Sequence, residues 1–511
     1  MRAAVFAAQI ALGLLLLAGG SLHAEDWPMY GRDLQHSFSN PQSAINPFNV
    51  LTLKEVWFHR TGDVVSASPA VVGGVVYVGS WDGFFYALDA HSGQQIWAFK
   101  ADCQKTVVPV PPGCPQPVPP PPPRATSDGG IITSSAAVIG GNVYFGAGKT
   151  LYSLRASDGY LNWKTVICGN PGPGCENDAN DPTRIFSSPA VSGGTIFVGH
   201  TADGAAGYRG GFEAIDAASS KVVWRFETDP KLNFNGQPIG GGINRGCGSV
   251  WSSAAVDPDP TAHLVYFGTG DCGQDAPPPY HEAVIALDSI TGAPKWVFRP
   301  RPTDKCDFDF GASPNIIDFG VSGHYLGLGG KDGTYYLLNR LTNNPAGQLI
   351  WATRVVFGGG IGGFFGGAAF DGKHIFSSTA VGDFDPKTPS KVCMPGTPGD
   401  TLVQDPSMHA LNVANGSRYW ERPLNYSFGA TTLANGVVFS GSLVLPSLNA
   451  YVASGPLHGL LLKVFDKTSG ITGQVNSAAV PVGRMLFVTT GNTADGSGGG
   501  VHAFALPAWV P

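Results

Sequence analysis

The sequence predicts an all-β fold: an eight-bladed β-propeller of four-stranded antiparallel blades, closed by an N-terminal strand. Three observations predict it. One phrase returns eight times, a second phrase ending in tryptophan follows most copies, and a fragment of the second phrase stands alone ahead of the first copy. The first phrase is a pair of small residues, a short apolar strand, a turn usually carrying Gly, and a strand that mostly ends in Gly. It opens at Ser66, Thr133, Ser187, Ser252, Ala312, Gly367, Gly429 and Asn476. The starts lie roughly 47 to 67 residues apart, the spacing of one supersecondary unit repeated around a ring.

The second phrase runs from Ala87 to Trp97, Ala214 to Trp224, Ala286 to Trp296 and Ala410 to Trp420, with looser copies from Ser153 to Trp163 and Leu337 to Trp351. It reads as a third strand, a turn of Asp, Ser or Thr and Gly, and a fourth strand anchored by a large apolar Trp. The segment from Leu51 to Gly62 carries such a fourth-strand residue, Trp57, with no blade before it, while the last repeat stops at its third strand near Ala505. The N-terminal strand is therefore expected to complete the eighth blade, which removes the free edges of an open sheet.

Composition agrees. Charged residues make up 13% and Gly numbers 71 of 511, which suits tight turns and short half-buried strands. The net charge of -6 leaves no basic footprint for nucleic acid, and that class of function is set aside. Residues 1–24 (a basic Arg2, an apolar run through Leu17, then small residues to Ala24) read as a secretory signal peptide, so 25–511 is expected as a single propeller domain, periplasmic or secreted. The apolar run is short for a membrane span, and no second run occurs.

Eight Cys in an exported chain read as disulfides. Cys103 with Cys114 and Cys168 with Cys175 each bracket a surface loop; Cys247, Cys272, Cys306 and Cys393 leave three pairings open. No Cys-x-x-Cys-His motif occurs, so no covalent haem is expected. The Pro-rich loop 107–124 reads as a rigid spacer rather than a docking ligand.

A propeller gathers its loops at a shared axial mouth, which is where chemistry is expected. The stretch from Gly240 to Gly311 is richer than its sister repeats: it holds Ser249 and Trp251, then Gly-Thr-Gly-Asp ending at Asp271, then Cys306 followed by Asp307 and Asp309. An indole at the axis offers a stacking surface. Asp307 and Asp309 alternate in an Asp-Phe-Asp-Phe segment, so an extended reading points both carboxylates one way, where their repulsion favours a bound cation. The plainer readings are a core Trp251, turn-capping aspartates, and a solvated hairpin Lys331.

That stretch, with the entry Asp26 to Asp33 and the eight repeats, resembles the pyrroloquinoline-quinone (PQQ)-dependent alcohol dehydrogenases, and among them the polyvinyl-alcohol dehydrogenase-like branch, over nearly the whole mature chain. Carried over by position, the resemblance implies that Trp251 is the floor beneath the quinone and Ser249 bonds one of its carboxylates. Asp271, Asp307 and Asp309 then surround a Ca2+ or lanthanide ion, Asp307 is the general base, and Lys331 contacts the quinone oxygens. A planar, anionic quinone needs a stacking surface, a cation and a metal, and each role has a residue of the right type.

Three family features lack counterparts. The second-repeat Arg is missing from residues 129–135, the family's pair of adjacent cysteines is absent, and the third-repeat Glu falls near Ala205, where Asp203 is the nearest carboxylate. Arg184 is the residue available to restore positive charge from the neighbouring blade.

The resemblance implies a periplasmic quinoprotein dehydrogenase that oxidises an alcohol, small or polymeric, and passes electrons to a separate acceptor such as a cytochrome c. The alternative is a non-catalytic propeller scaffold that binds a protein partner, which the missing Arg and Glu favour. A lyase or hydrolase at the same mouth is a third reading. The set of Trp251, Asp307 and Lys331 favours the dehydrogenase.

Overall fold

The computed structural model describes residues 26–101, 131–178, 180–202, 207–230, 248–259, 261–271, 280–301, 307–320, 323–341, 346–380, 407–494 and 496–507. Eight sheets follow one another around a ring, each of four antiparallel strands, with Ser39–Asn40 added in parallel to Thr432–Ala434 as a fifth strand of the seventh. The first blade shows the pattern: Ala70–Val72, Val75–Gly79, Phe84–Asp89 and Gln95–Lys100, hydrogen-bonded in sequence order. Its first hairpin turns on Gly73 and Gly74, both at positive φ (57° and 78°), the mirror-image turn whose twist matches the strands it joins.

The glycine that ends the second strand has a packing reason. At Gly146 an added Cβ would fall 2.3 Å from Ile185, the residue leading into the next blade, and at Gly199 it would fall 2.4 Å from Val250. Hydrogen in place of a side chain lets consecutive blades close against each other near the axis.

Outside, each blade is keyed to the next by its tryptophan. The indole N–H of Trp97 donates to the Ala156 carbonyl (2.9 Å), that of Trp224 to Ser289 (3.1 Å) and that of Trp420 to Ala453 (2.8 Å). Trp57, Trp163, Trp296 and Trp351 do the same across their own seams. The seventh blade differs: in its outermost strand, Leu461–Phe465, Lys463 takes the Trp register, opposite Ala450. Its ammonium reaches the carbonyls of Leu51 (3.2 Å) and Leu53 (2.5 Å), where the N-terminal chain enters the ring.

The eighth blade is made from both ends of the chain, as the sequence predicts. Lys54–Arg60 pairs antiparallel with Gly500–Ala505, in a register from Lys54 opposite Ala505 to Arg60 opposite Gly500. The disulfide between Cys168 and Cys175 forms as expected. The signal sequence, the Pro-rich loop, the other six cysteines and Asp203 lie outside the described residues.

The sequence gives no warning of what Trp27 to Asn40 does. This segment crosses the inner strands of successive blades and accepts backbone hydrogen bonds from them: Val71 donates to Trp27, Val138 to Pro28, Val256 to Leu34, Ile316 to Gln35, Phe370 to Ser37 and Leu433 to Phe38. The Asn40 amide donates to Pro481 in the eighth blade. Trp27 and Phe38 are fully buried, and the segment plugs the axis at the end where the first hairpins turn.

His36 sits in this plug with Nδ1 3.1 Å from the Pro314 carbonyl. Burial lowers its pKa to about 4, against a smaller opposing effect from that carbonyl. A depressed imidazole contributes stability above its unfolded pKa of about 6.5 and loses it as pH falls toward the folded value, by roughly 1.4 kcal/mol per pH unit. His36→Asn is therefore expected to flatten the loss of thermal stability between pH 6.5 and 4, measured by melting across that range; an unchanged slope would rule this group out as the cause.

Candidate functional site

The loops before each first strand and those between second and third strands emerge at the end opposite the plug. Four such loops from the fourth and fifth blades are laced by their backbones. Gly248 N–H donates to the Asp271 carbonyl (2.9 Å), Gly270 to Ser249 (2.7 Å), Phe310 to Thr269 (3.1 Å) and Lys331 to Asp309 (2.9 Å). The side chains on these loops are thus held by main-chain bonds rather than by one another alone.

They converge. Carboxylate oxygens of Asp271, Asp307 and Asp309 all lie within 4.8 Å of one another. The Lys331 ammonium is 2.8 Å from Asp307 Oδ2 and 3.1 Å from Asp309 Oδ2. Asp309 also accepts the Asp271 backbone N–H (2.6 Å) and the Trp251 indole N–H (3.2 Å). Lys331 is buried, which removes its reading as a solvated hairpin residue.

The two aspartates do not converge by the extended alternation that the sequence suggests. Asp307 adopts a left-handed backbone (φ 59°), and residues 307–310 form no strand. Arg301 holds this bend: its guanidinium donates to the Phe308 carbonyl (3.1 Å) and to the carboxylate of Asp332, the neighbour of Lys331. One cation thereby ties the aspartate loop to the lysine loop.

The charge balance favours a further cation. Burial pushes Asp309 up to about 7; Lys331 opposes this, and Asp307 and Asp271 add to it. Burial works to lower Lys331, but the Asp309 and Asp307 carboxylates outweigh it and hold the ammonium above its ordinary value. Three carboxylates around one ammonium suit a hard cation with oxygen ligands. Trp251 is half-buried with its six-membered ring against Gly311, where a Cβ would fall 1.6 Å from Cη2. A flat ring on a face cleared in this way suits a planar ligand.

Ser249 stands two residues before Trp251; its Oγ accepts the Ala202 N–H (3.1 Å) and keeps a hydroxyl proton to give. Arg184 stands in the loop between the second and third blades, where its backbone bridges Thr201, the neighbour of the Ala202 that bonds Ser249, and its guanidinium donates to the Thr183 carbonyl (3.0 Å). Sequence reasoning missed Arg301, Gly311, Phe365 and Phe428. The signal for the last two was positional: each directly precedes the small-residue pair of its repeat, as Trp251 does.

A cavity of about 830 Å³ between the eighth and first blades is lined by Val71, Gly74, His91, Arg484 and Phe487, at the plug end and away from the acidic group.

Comparison with known proteins gives the following. Residues 27–113 and 170–352 match the family described as "PQQ: Glucose/ethanol/alcohol dehydrogenase, beta-propeller domain". A polyvinylalcohol dehydrogenase of a Pseudomonas species is 25% identical over 459 residues, 82% of this chain and 64% of that protein. A quinate/shikimate dehydrogenase (quinone) of Acinetobacter baylyi is 29% identical over 367 residues, 64% of this chain and 44% of that protein. The chain thus spans less than two thirds of either relative. The quinohemoprotein alcohol dehydrogenase of Comamonas testosteroni superposes with a TM-score of 0.70 at 20% identity, over 96% of this chain and 81% of that one, which shows a shared fold.

Proposed function

The chain belongs to the PQQ-dependent dehydrogenase β-propeller family, and we propose that it is a periplasmic quinoprotein dehydrogenase oxidising an alcohol. The observation that carries this is the Asp307–Lys331–Asp309 group, with contacts of 2.8 and 3.1 Å, bonded to an axial indole.

Trp251 would be the floor for pyrroloquinoline quinone, Ser249 would bond a carboxylate of it, Lys331 would meet its oxygens, and Arg184 would supply positive charge from the neighbouring blade. Asp271, Asp307 and Asp309 would hold Ca2+ or a lanthanide, with Asp203 of the neighbouring sequence as the further carboxylate. The bound quinone supplies the acceptor for a hydride. Asp307, nearly half exposed (45%), takes the alcohol's O–H proton while its carbon gives up a hydrogen with two electrons, leaving an aldehyde or ketone. The Asp309 carboxylate, backed by Lys331 and the indole N–H, holds the ring and base in register. Electrons then leave to a separate acceptor such as a cytochrome c.

The test is titration of the mature, disulfide-intact protein with pyrroloquinoline quinone, with and without Ca2+ or La3+, following tryptophan quenching and then dye reduction by alcohols. Saturable, metal-dependent quenching at micromolar quinone with turnover is expected. No binding under any metal would overturn the reading and leave the propeller as a scaffold.

A further inference from the structure

The residue that precedes each blade's small-residue pair stands in the loop that leads into that blade's first strand, and the eight positions divide into two arcs. Blades three, four, six and seven place Phe186, Trp251, Phe365 and Phe428 there, while blade five places Gly311 and so leaves room for the indole. Blades eight, one and two place Asn476, Ser66 and Thr133. The polar arc is half-buried; Ser66 already accepts the Trp81 indole N–H (2.8 Å).

The aromatic arc is continuous beyond the floor. Trp251 and Phe365 have ring centroids 5.9 Å apart, and Phe365 and Phe428 are 4.3 Å apart. Both phenyls are half-buried, and the Lys331 ammonium lies 5.8 Å from the Phe365 centroid. An apolar wall therefore begins at the ring beside Trp251 and the Lys331 ammonium and runs over the sixth and seventh blades. Among the described residues, the position on blades five to seven carries Gly311, Phe365 and Phe428 and no charged side chain, which suits an apolar ligand surface better than one bearing many hydroxyls.

We propose that Phe365 and Phe428 form the wall that receives the hydrocarbon body of the substrate, selecting alcohols with an extended apolar chain over compact polyols and sugars. This rests on the dehydrogenase reading of the same site. Each methylene laid on such a wall is worth about a fourfold gain in kcat/KM until the wall is covered.

Two measurements test it. In the quinone- and metal-loaded protein, kcat/KM for straight-chain primary alcohols from ethanol to hexanol is expected to climb about fourfold per methylene. In Phe365→Ala and Phe428→Ala the climb flattens through KM for the longer alcohols, and Phe365→Leu restores part of it. A climb unaltered in the alanine variants overturns the proposal. So does loss of quinone affinity with no change in chain-length preference, which would assign the phenyls to the cofactor. Saturation-transfer NMR of 1-hexanol against glycerol reads the wall without turnover. Transfer from aromatic protons to the hexanol methyl, lost in the double alanine variant, supports the wall even in protein that oxidises nothing. Its absence in wild type overturns the wall whatever the fate of the dehydrogenase reading.

Discussion

Asp307→Asn is expected to lower turnover by about 10²- to 10⁴-fold while the protein still folds and still binds quinone. Asparagine keeps the size of the side chain and tolerates the left-handed backbone found there (φ 59°), so the bend in the loop survives. What disappears is the proton acceptor, together with one of the two carboxylates facing Lys331. Asp309 remains to hold the ammonium. Single-turnover reduction of bound quinone by alcohol, compared with quenching titrations of the same variant, separates the two effects. Turnover within about threefold of wild type would remove Asp307 from the role of base.

Gly311→Ala carries the second large effect. The new methyl would fall 1.6, 1.8 and 2.1 Å from Cη2, Cζ2 and Cζ3 of Trp251, distances no packing tolerates, so the indole must leave its place. Its N–H bond to Asp309 (3.2 Å) goes with it. Overpacking of this kind costs about 1–3 kcal/mol of stability. Quinone affinity is expected to fall about 100-fold, because both the stacking face and the orientation of a buried carboxylate are disturbed; loss of about 2.7 kcal/mol of binding corresponds to that factor. Trp251→Phe in the same chain makes room for the methyl and is expected to recover the melting temperature but not the quinone affinity. That non-additive pattern is the signature of two residues sharing one space. Additive losses in the double variant would mean that the methyl is accommodated elsewhere.

The ring itself was legible because its signal is redundant. Eight copies of a strand pair bounded by glycine, six Trp-ended strands and one orphan Trp57 say the same thing at different places. The site was legible where a residue departs from its own repeat: an indole where sister blades place Ser, Thr, Gly or Phe, and charges in an otherwise apolar loop. What could not be read is what depends on backbone path. The segment from Trp27 to Asn40 has no period, since it bonds one blade after another along a curve, and its residues serve six or seven different neighbours. The convergence of Asp307 and Asp309 was anticipated for a wrong reason, because a single left-handed residue does what an extended strand was expected to do. Phe365 and Phe428 share the position of Trp251 in their repeats, but they stand in Gly-rich openings that read as worn copies, and their ring contact shows that they form one surface.

The eighth blade has a consequence in time. Its outermost strand, Lys54–Arg60, is among the first made and can be satisfied only when Gly500–Ala505 has emerged, and the seam beside it lacks the indole key found at seven others. During synthesis the nascent molecule therefore carries this strand unmatched until nearly all of the propeller has been made. A polypeptide in that condition folds slowly, since its decisive contact joins its two extremities, and it is exposed to wrong partners throughout.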